Sequence, residues 1–79
     1  MDREARARCE SVIQGTGIEP GDTVLDFGCG AGNYTIPAAR QVGRRGTVYA
    51  VDSNASKLKE LSERAERERV ADVIGVCHT

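Results

Sequence analysis

Apolar residues recur along this chain in two rhythms, and the switching between them lays out the elements. From Asp2 to about Gln14, Ala5, Cys9, Val12 and Ile13 stand at i, i+4, i+7 and i+8, with Arg3, Arg6, Arg8 and Glu10 elsewhere, which predicts a helix with one apolar stripe. Asp2 suits its start, where a carboxylate can accept from free N–H groups. Gly15-Thr16-Gly17 ends it, and Pro20-Gly21 offers a chain reversal. A continuous apolar run, Thr23 to Phe27, then reads as a buried strand. After the turn Gly28-Cys29-Gly30-Ala31-Gly32, a helix of roughly Tyr34 to Val42 presents Ala38, Ala39 and Val42 on one side, with Asn33 or Thr35 expected as its cap and Pro37 confined to its first turn. Gly43 to Gly46 forms a loop, whose Arg44 and Arg45 are expected to be solvated. A second apolar run, Thr47 to Val51, stops at Asp52. From about Asn54 to Arg69 the helical rhythm returns, with Ala55, Leu58, Leu61 and Ala65 inward and the pairs Glu60/Arg64 and Glu63/Arg67 outward. Val73 to Cys77 is a third strand.

Helix, then β-α-β-α-β, is an α/β pattern: one half of a three-layer, doubly wound parallel sheet. Right-handed crossovers order its strands 3-2-1 and leave the first strand at an edge. The apolar sequence of that strand suits a central place, so the edge is expected to pair with a second copy or with further chain. The 79 residues hold one small domain, read as a truncated unit, with 1–19 as helix and turn and 20–79 as the β-α-β-α-β unit. With one Phe, two Tyr and no Trp, its core must be built from Val, Leu, Ile and Ala. Eleven basic against twelve acidic residues exclude the basic footprint of a nucleic-acid binder. Cysteines at 9, 29 and 77 indicate neither a disulfide framework nor a metal site and fit reduced thiols in a cytoplasmic protein. No long apolar run is present and the start is charged, which argues against a signal peptide or a membrane span.

The glycine turn carries the chemistry. A phosphate loop needs Lys and then Ser or Thr after its last glycine, whereas Gly32 is followed by Asn33-Tyr34. The dinucleotide fingerprint needs glycine at 33 or 35, where Asn33 and Thr35 stand. The pattern that fits is G-x-G-x-G with Asp26 two residues upstream, at the carboxyl end of the first strand. A carboxylate there repels phosphates and suits an ammonium group. Asp52, ending the second strand, is placed to accept two ribose hydroxyls, or else to cap the following helix. Ribose plus ammonium without phosphate describes S-adenosylmethionine.

Val24-Leu25-Asp26-Phe27-Gly28-Cys29-Gly30-Ala31-Gly32 resembles the first signature motif of class I S-adenosylmethionine-dependent methyltransferases, and Val48-Tyr49-Ala50-Val51-Asp52 resembles the second. The resemblance spans about Pro20 to Val76. It implies that Gly28 and Gly30 line the methionine part, that Asp26 binds the ammonium group directly or through water, that Asp52 holds the ribose, and that Ser53 and Asn54 flank the adenine. Cys29, Gly32 and Asn33 complete the candidate set of cofactor-binding residues. S-adenosylhomocysteine would be the product. Where the family commonly has an acidic residue after the third strand, this chain reads Cys77-His78-Thr79, and His78 is expected to be a solvated tail residue. The strands that usually carry acceptor-binding and catalytic residues are missing, so no catalytic residue is assigned and no transfer is expected from this chain alone. Two other functions fit the pattern: a non-catalytic half-sheet that dimerises through its first strand, and a nicotinamide-dinucleotide-binding fragment.

Overall fold

In the computed structural model, which describes residues 2–79, local chemistry fixes the ends of each element. The first helix, α1, is Arg3–Gln14. Asp2 caps it by accepting from the Ala5 N–H at 2.7 Å, and Gly15 closes it. Its buried stripe is narrower than the spacing predicts: Cys9 and Ile13 are buried, whereas Val12 is exposed. The reason is that α1 packs chiefly against a single neighbour, the second helix. The Glu19–Asp22 turn, closed by the Asp22 N–H on the Glu19 carbonyl at 3.1 Å, leads into β1, Thr23–Phe27.

Helix α2 is Thr35–Val42. Pro37 lies in its first turn as expected, but neither Asn33 nor Thr35 caps it. Tyr34 occupies the N-cap position without a side-chain hydrogen bond. Strand β2 is Thr47–Asp52, and α3 is Ala55–Arg67 with Asn54 as its N-cap, accepting from the Lys57 N–H at 3.1 Å. The helix stops two residues before the predicted Arg69, whose φ of +59° is left-handed and cannot continue it. Leu58, Leu61 and Ala65 face inward, while Ala55 is exposed in the first turn. Arg64 turns from Glu60 to Glu68, at 2.8 Å, and Lys57 approaches Glu60 at 3.5 Å. The predicted pairs Glu60/Arg64 and Glu63/Arg67 are absent among the described residues. Glu68 wins because it sits between Arg64 and Arg40 and so ties α3 to α2. A single 3-10 turn, Ala71–Val73, takes the residue expected to start the last strand, and β3 runs Ile74–His78.

The three strands are parallel and ordered β1-β2-β3, with Asp26 opposite Ala50, Ala50 opposite Val76 and Asp52 opposite His78. This is the predicted order, and β1 lies at an edge. All three helices pack on one face. Ile13, Ala38, Ala39 and Val42 meet Val48 in one buried cluster; Ile36, Leu58, Leu61 and Ala65 meet Ala50 in another; Val70 and Ile74 pack against both. The opposite face, formed by residues of the other parity, carries Leu25, Phe27 and Tyr49 at 58%, 72% and 45% exposure. Tyr49 partly covers it by laying its ring on Gly75, where a Cβ would approach the ring to 2.9 Å. Parallel sheets are ordinarily covered on both faces, so this face is an unmet packing surface.

Candidate functional site

At the carboxyl end of the sheet the chain must leave β1, reverse and enter α2, and the glycine turn does this while staying tied to β2. The N–H groups of Gly28 and Cys29 both donate to the Val51 carbonyl, at 2.7 and 3.1 Å. The Gly32 N–H then donates to the Cys29 carbonyl, and the Ile36 N–H to the Gly32 carbonyl, both at 3.0 Å. Gly28, Gly30 and Gly32 all have positive φ, at +69°, +56° and +94°. Their surroundings differ. A Cβ on Gly28 or Gly30 would meet nothing within 4 Å, whereas one on Gly32 would collide with the Leu61 side chain. Two of the three glycines therefore present bare backbone to open space, and the third lets α3 pack against the turn. Cys29 is buried beneath the turn, in the cluster with Ile36 and Leu61.

Two carboxylates flank the turn on the helix-covered side of the sheet. Asp26 and Asp52 sit on neighbouring strands two residues apart in register, which places their Cα atoms about 8 Å from one another. Asp52 Oδ2 accepts from the Gly30 N–H and Oδ1 from the Asn54 N–H, each at 2.8 Å. These donors, Asn54 first and Gly30 second, hold the Asp52 carboxyl below the usual carboxylate range. Asp26 accepts from the Thr35 hydroxyl at 2.6 Å. The proximity of both acids is felt at Cys29, whose thiol is pushed up by burial and then by the negative charges of Asp26 and Asp52. The Cys29 side chain packs with Ile36 and Leu61.

The remaining candidates separate. Ser53 and Asn54 are exposed beside Asp52, and Asn54 caps α3. Capping is thus the work of Asn54, with Asp52 bracing the Asn54 N–H just before the helix. Asn33 is exposed and accepts from Arg64 at 3.3 Å. His78 is not a free tail: it ends β3 opposite Asp52, and its Nε2, which must carry the proton, donates to the Ser53 carbonyl at 3.0 Å. The spacing of residues gave no signal for that contact, nor for the one between Thr35 and Asp26. The groove of about 370 Å³ between α1 and α2, lined by Arg6, Glu10, Pro37 and Arg40 among others, touches none of the turn's glycines. Among the described residues no cluster of His, Cys, Asp and Glu is arranged to hold a metal, and no helix is long and apolar enough to cross a membrane.

Comparison with known proteins places the fold that carries this turn. A family model described as a methyltransferase domain matches residues 18–74. The 2-phytyl-1,4-naphtoquinone methyltransferase of Trichormus variabilis is 44% identical over 59 residues, covering 75% of this chain and 26% of that protein. Among solved structures, a SAM-dependent methyltransferase from Aquifex aeolicus superposes with a TM-score of 0.79 at 26% identity, over 100% of this chain and 47% of that one. Coclaurine N-methyltransferase bound to N-methylheliamine and SAH superposes with a TM-score of 0.81 at 27% identity, over 95% of this chain and 22% of that one. The chain belongs to the class I S-adenosylmethionine-dependent methyltransferase family. It spans about a quarter of the length of the curated relatives it matches first.

Proposed function

We propose that this chain forms the S-adenosylmethionine-binding half-site of a methyltransferase, in the form of a truncated domain whose acceptor side lies outside it. The observation that carries this reading is the occupation of the Gly30 N–H by the Asp52 carboxylate, with a second carboxylate, Asp26, on the other side of the turn. In a phosphate cradle that N–H would face an anion of the ligand, and here an anion of the protein already fills the role. Two fixed negative charges beside an open backbone suit a cationic, phosphate-free nucleoside and repel a dinucleotide.

Each residue then has a task. Gly28 and Gly30 allow the methionine part to lie on the backbone, since a Cβ at either position would fill that space. Asp26 pairs with the ammonium group. Each Asp52 oxygen spends one lone-pair direction on a backbone N–H and keeps another, so the carboxylate can still accept both ribose hydroxyls. Ser53 and Asn54 border the adenine. Cys29 and Gly32 hold the turn in place by packing against Leu61, and exposed Asn33 completes the cofactor-binding set. The cofactor, when bound, supplies an electrophilic methyl group on a sulfonium; this chain's part is to bind and orient it.

Calorimetric titration with S-adenosylhomocysteine and, separately, NAD tests the reading. Saturable binding of the first alone, weakened at least tenfold by Asp52→Ala, is expected. Equal or stronger binding of NAD would overturn it in favour of a nicotinamide-dinucleotide fragment. The bare face and edge of β1, with Leu25 and Phe27 exposed, favour a second reading: a non-catalytic module that dimerises through this strand. A mass that doubles with concentration while neither ligand binds would select it.

A further inference from the structure

We propose that Thr35 is a positioning residue for the cofactor: its buried hydroxyl fixes the Asp26 carboxylate in the orientation that receives the ammonium group. This rests on the reading of Asp26 given above. Thr35 is the one fully buried polar residue among those described, at 0% exposure, and its hydroxyl donates to Asp26 Oδ2 at 2.6 Å. A hydroxyl in the first turn of a helix ordinarily serves that helix as a cap. Here the local partners are spoken for. Pro37 has no N–H, the Ile36 N–H donates to Gly32, and the Ala38 N–H donates to Tyr34. The hydroxyl therefore reaches back across the glycine turn to the end of β1.

Three features make this a device for orientation. Thr35 is β-branched and packed on all sides, so its own rotamer is fixed. It begins α2, so the carboxylate is tied to the helix that the turn feeds and not to the edge strand alone. It supplies a single donor to one oxygen, which leaves the other Asp26 oxygen and the remaining lone pairs for a cation. Asp26 itself stands on an edge strand and is only half-buried, where an untethered side chain would sample several rotamers.

The test compares wild type, Thr35→Val, Thr35→Ser and Asp26→Asn in binding S-adenosylhomocysteine and 5′-methylthioadenosine, which lacks the amino-acid part. Thr35→Val should weaken the first ligand about tenfold and leave the second unchanged, while Thr35→Ser restores wild-type preference. Three-bond couplings of Asp26 in the ligand-free protein should report one χ1 rotamer in wild type and averaging in Thr35→Val. Equal weakening of both ligands, or no change in either the couplings or the preference, would overturn the proposal. Should Thr35→Val unfold the chain, Thr35→Ala against Thr35→Ser gives the same comparison. An Asp26→Asn variant that binds S-adenosylhomocysteine as tightly as wild type would instead strike at the underlying reading of Asp26.

Discussion

Replacing Gly32 by alanine should unfold much of this protein, whereas the same change at Gly30 should leave it folded and damage only the site. At Gly32 the φ of +94° disfavours any L-residue, by about 1–2 kcal/mol if the penalty resembles that of the left-handed helix. The new Cβ would also collide with Leu61, which is fully buried and has nowhere to swing, adding about 1–3 kcal/mol of overpacking. Together these come to about 2–5 kcal/mol. A chain of 79 residues is held by about 4–12 kcal/mol, and one with a bare sheet face belongs at the lower end of that range. At Gly30, φ is +56° and nothing lies within 4 Å of the new Cβ, so only the backbone penalty of about 1–2 kcal/mol applies. Urea unfolding followed by far-ultraviolet circular dichroism separates the two through their midpoints. Equal midpoints, or a lower one for Gly30→Ala, would refute the division of the turn into a packing glycine and glycines that face open space.

Asp52 is held below the usual range by the Asn54 and Gly30 N–H groups. Glu68, which burial would raise, is brought net below it by Arg64 and Arg40. Both folded-state pKa values are therefore depressed, so their stabilisation is complete above about pH 5 and is lost as pH falls through about 4 and lower; Asp52→Asn with Glu68→Gln should flatten a stability profile over that window. Glu68→Ala should cost about 1 kcal/mol in dilute buffer and less in 1 M salt, because Arg40 is near half-exposed; a salt-independent loss would mean that packing and not charge is responsible. Phe27→Lys should change stability by no more than about 0.5 kcal/mol, since Phe27 is 72% exposed, yet reduce any concentration-dependent association seen by analytical ultracentrifugation. A loss above 2 kcal/mol would show that the ring is packed within the monomer.

The position of the glycine turn and the placing of Asp26 and Asp52 at one end of the sheet were legible from periodicity and turn chemistry, and strand order from those together with the handedness of parallel crossovers. What escaped was tertiary choice. Arg64 had two carboxylates within a helical turn, Glu60 and Glu68, and only the packing of α2 beside α3 decides for the second. Thr35 looked like a capping residue because its type and place suit a cap; Pro37 and the hydrogen bonds already made nearby turn it to Asp26 instead. Val12 and Ala55 satisfied the helical spacing, but each stands where its helix has no neighbour to bury it. The edge position of β1 was likewise legible, and right-handed crossovers over this strand order also put α2 and α3 on one face, whereas hydropathy does not say where α1 packs.

The central claim is that the ligand lies on the backbone between the two carboxylates. Amide chemical-shift mapping with S-adenosylhomocysteine tests it most directly, because the N–H groups of Gly28, Gly30 and Asn54 all report from that place. Saturable shifts centred on Gly28, Gly30 and Asp52 to Asn54, with those of α1 unmoved, are the predicted result. Shifts confined to the groove between α1 and α2, or none from a folded chain at millimolar ligand, would contradict it.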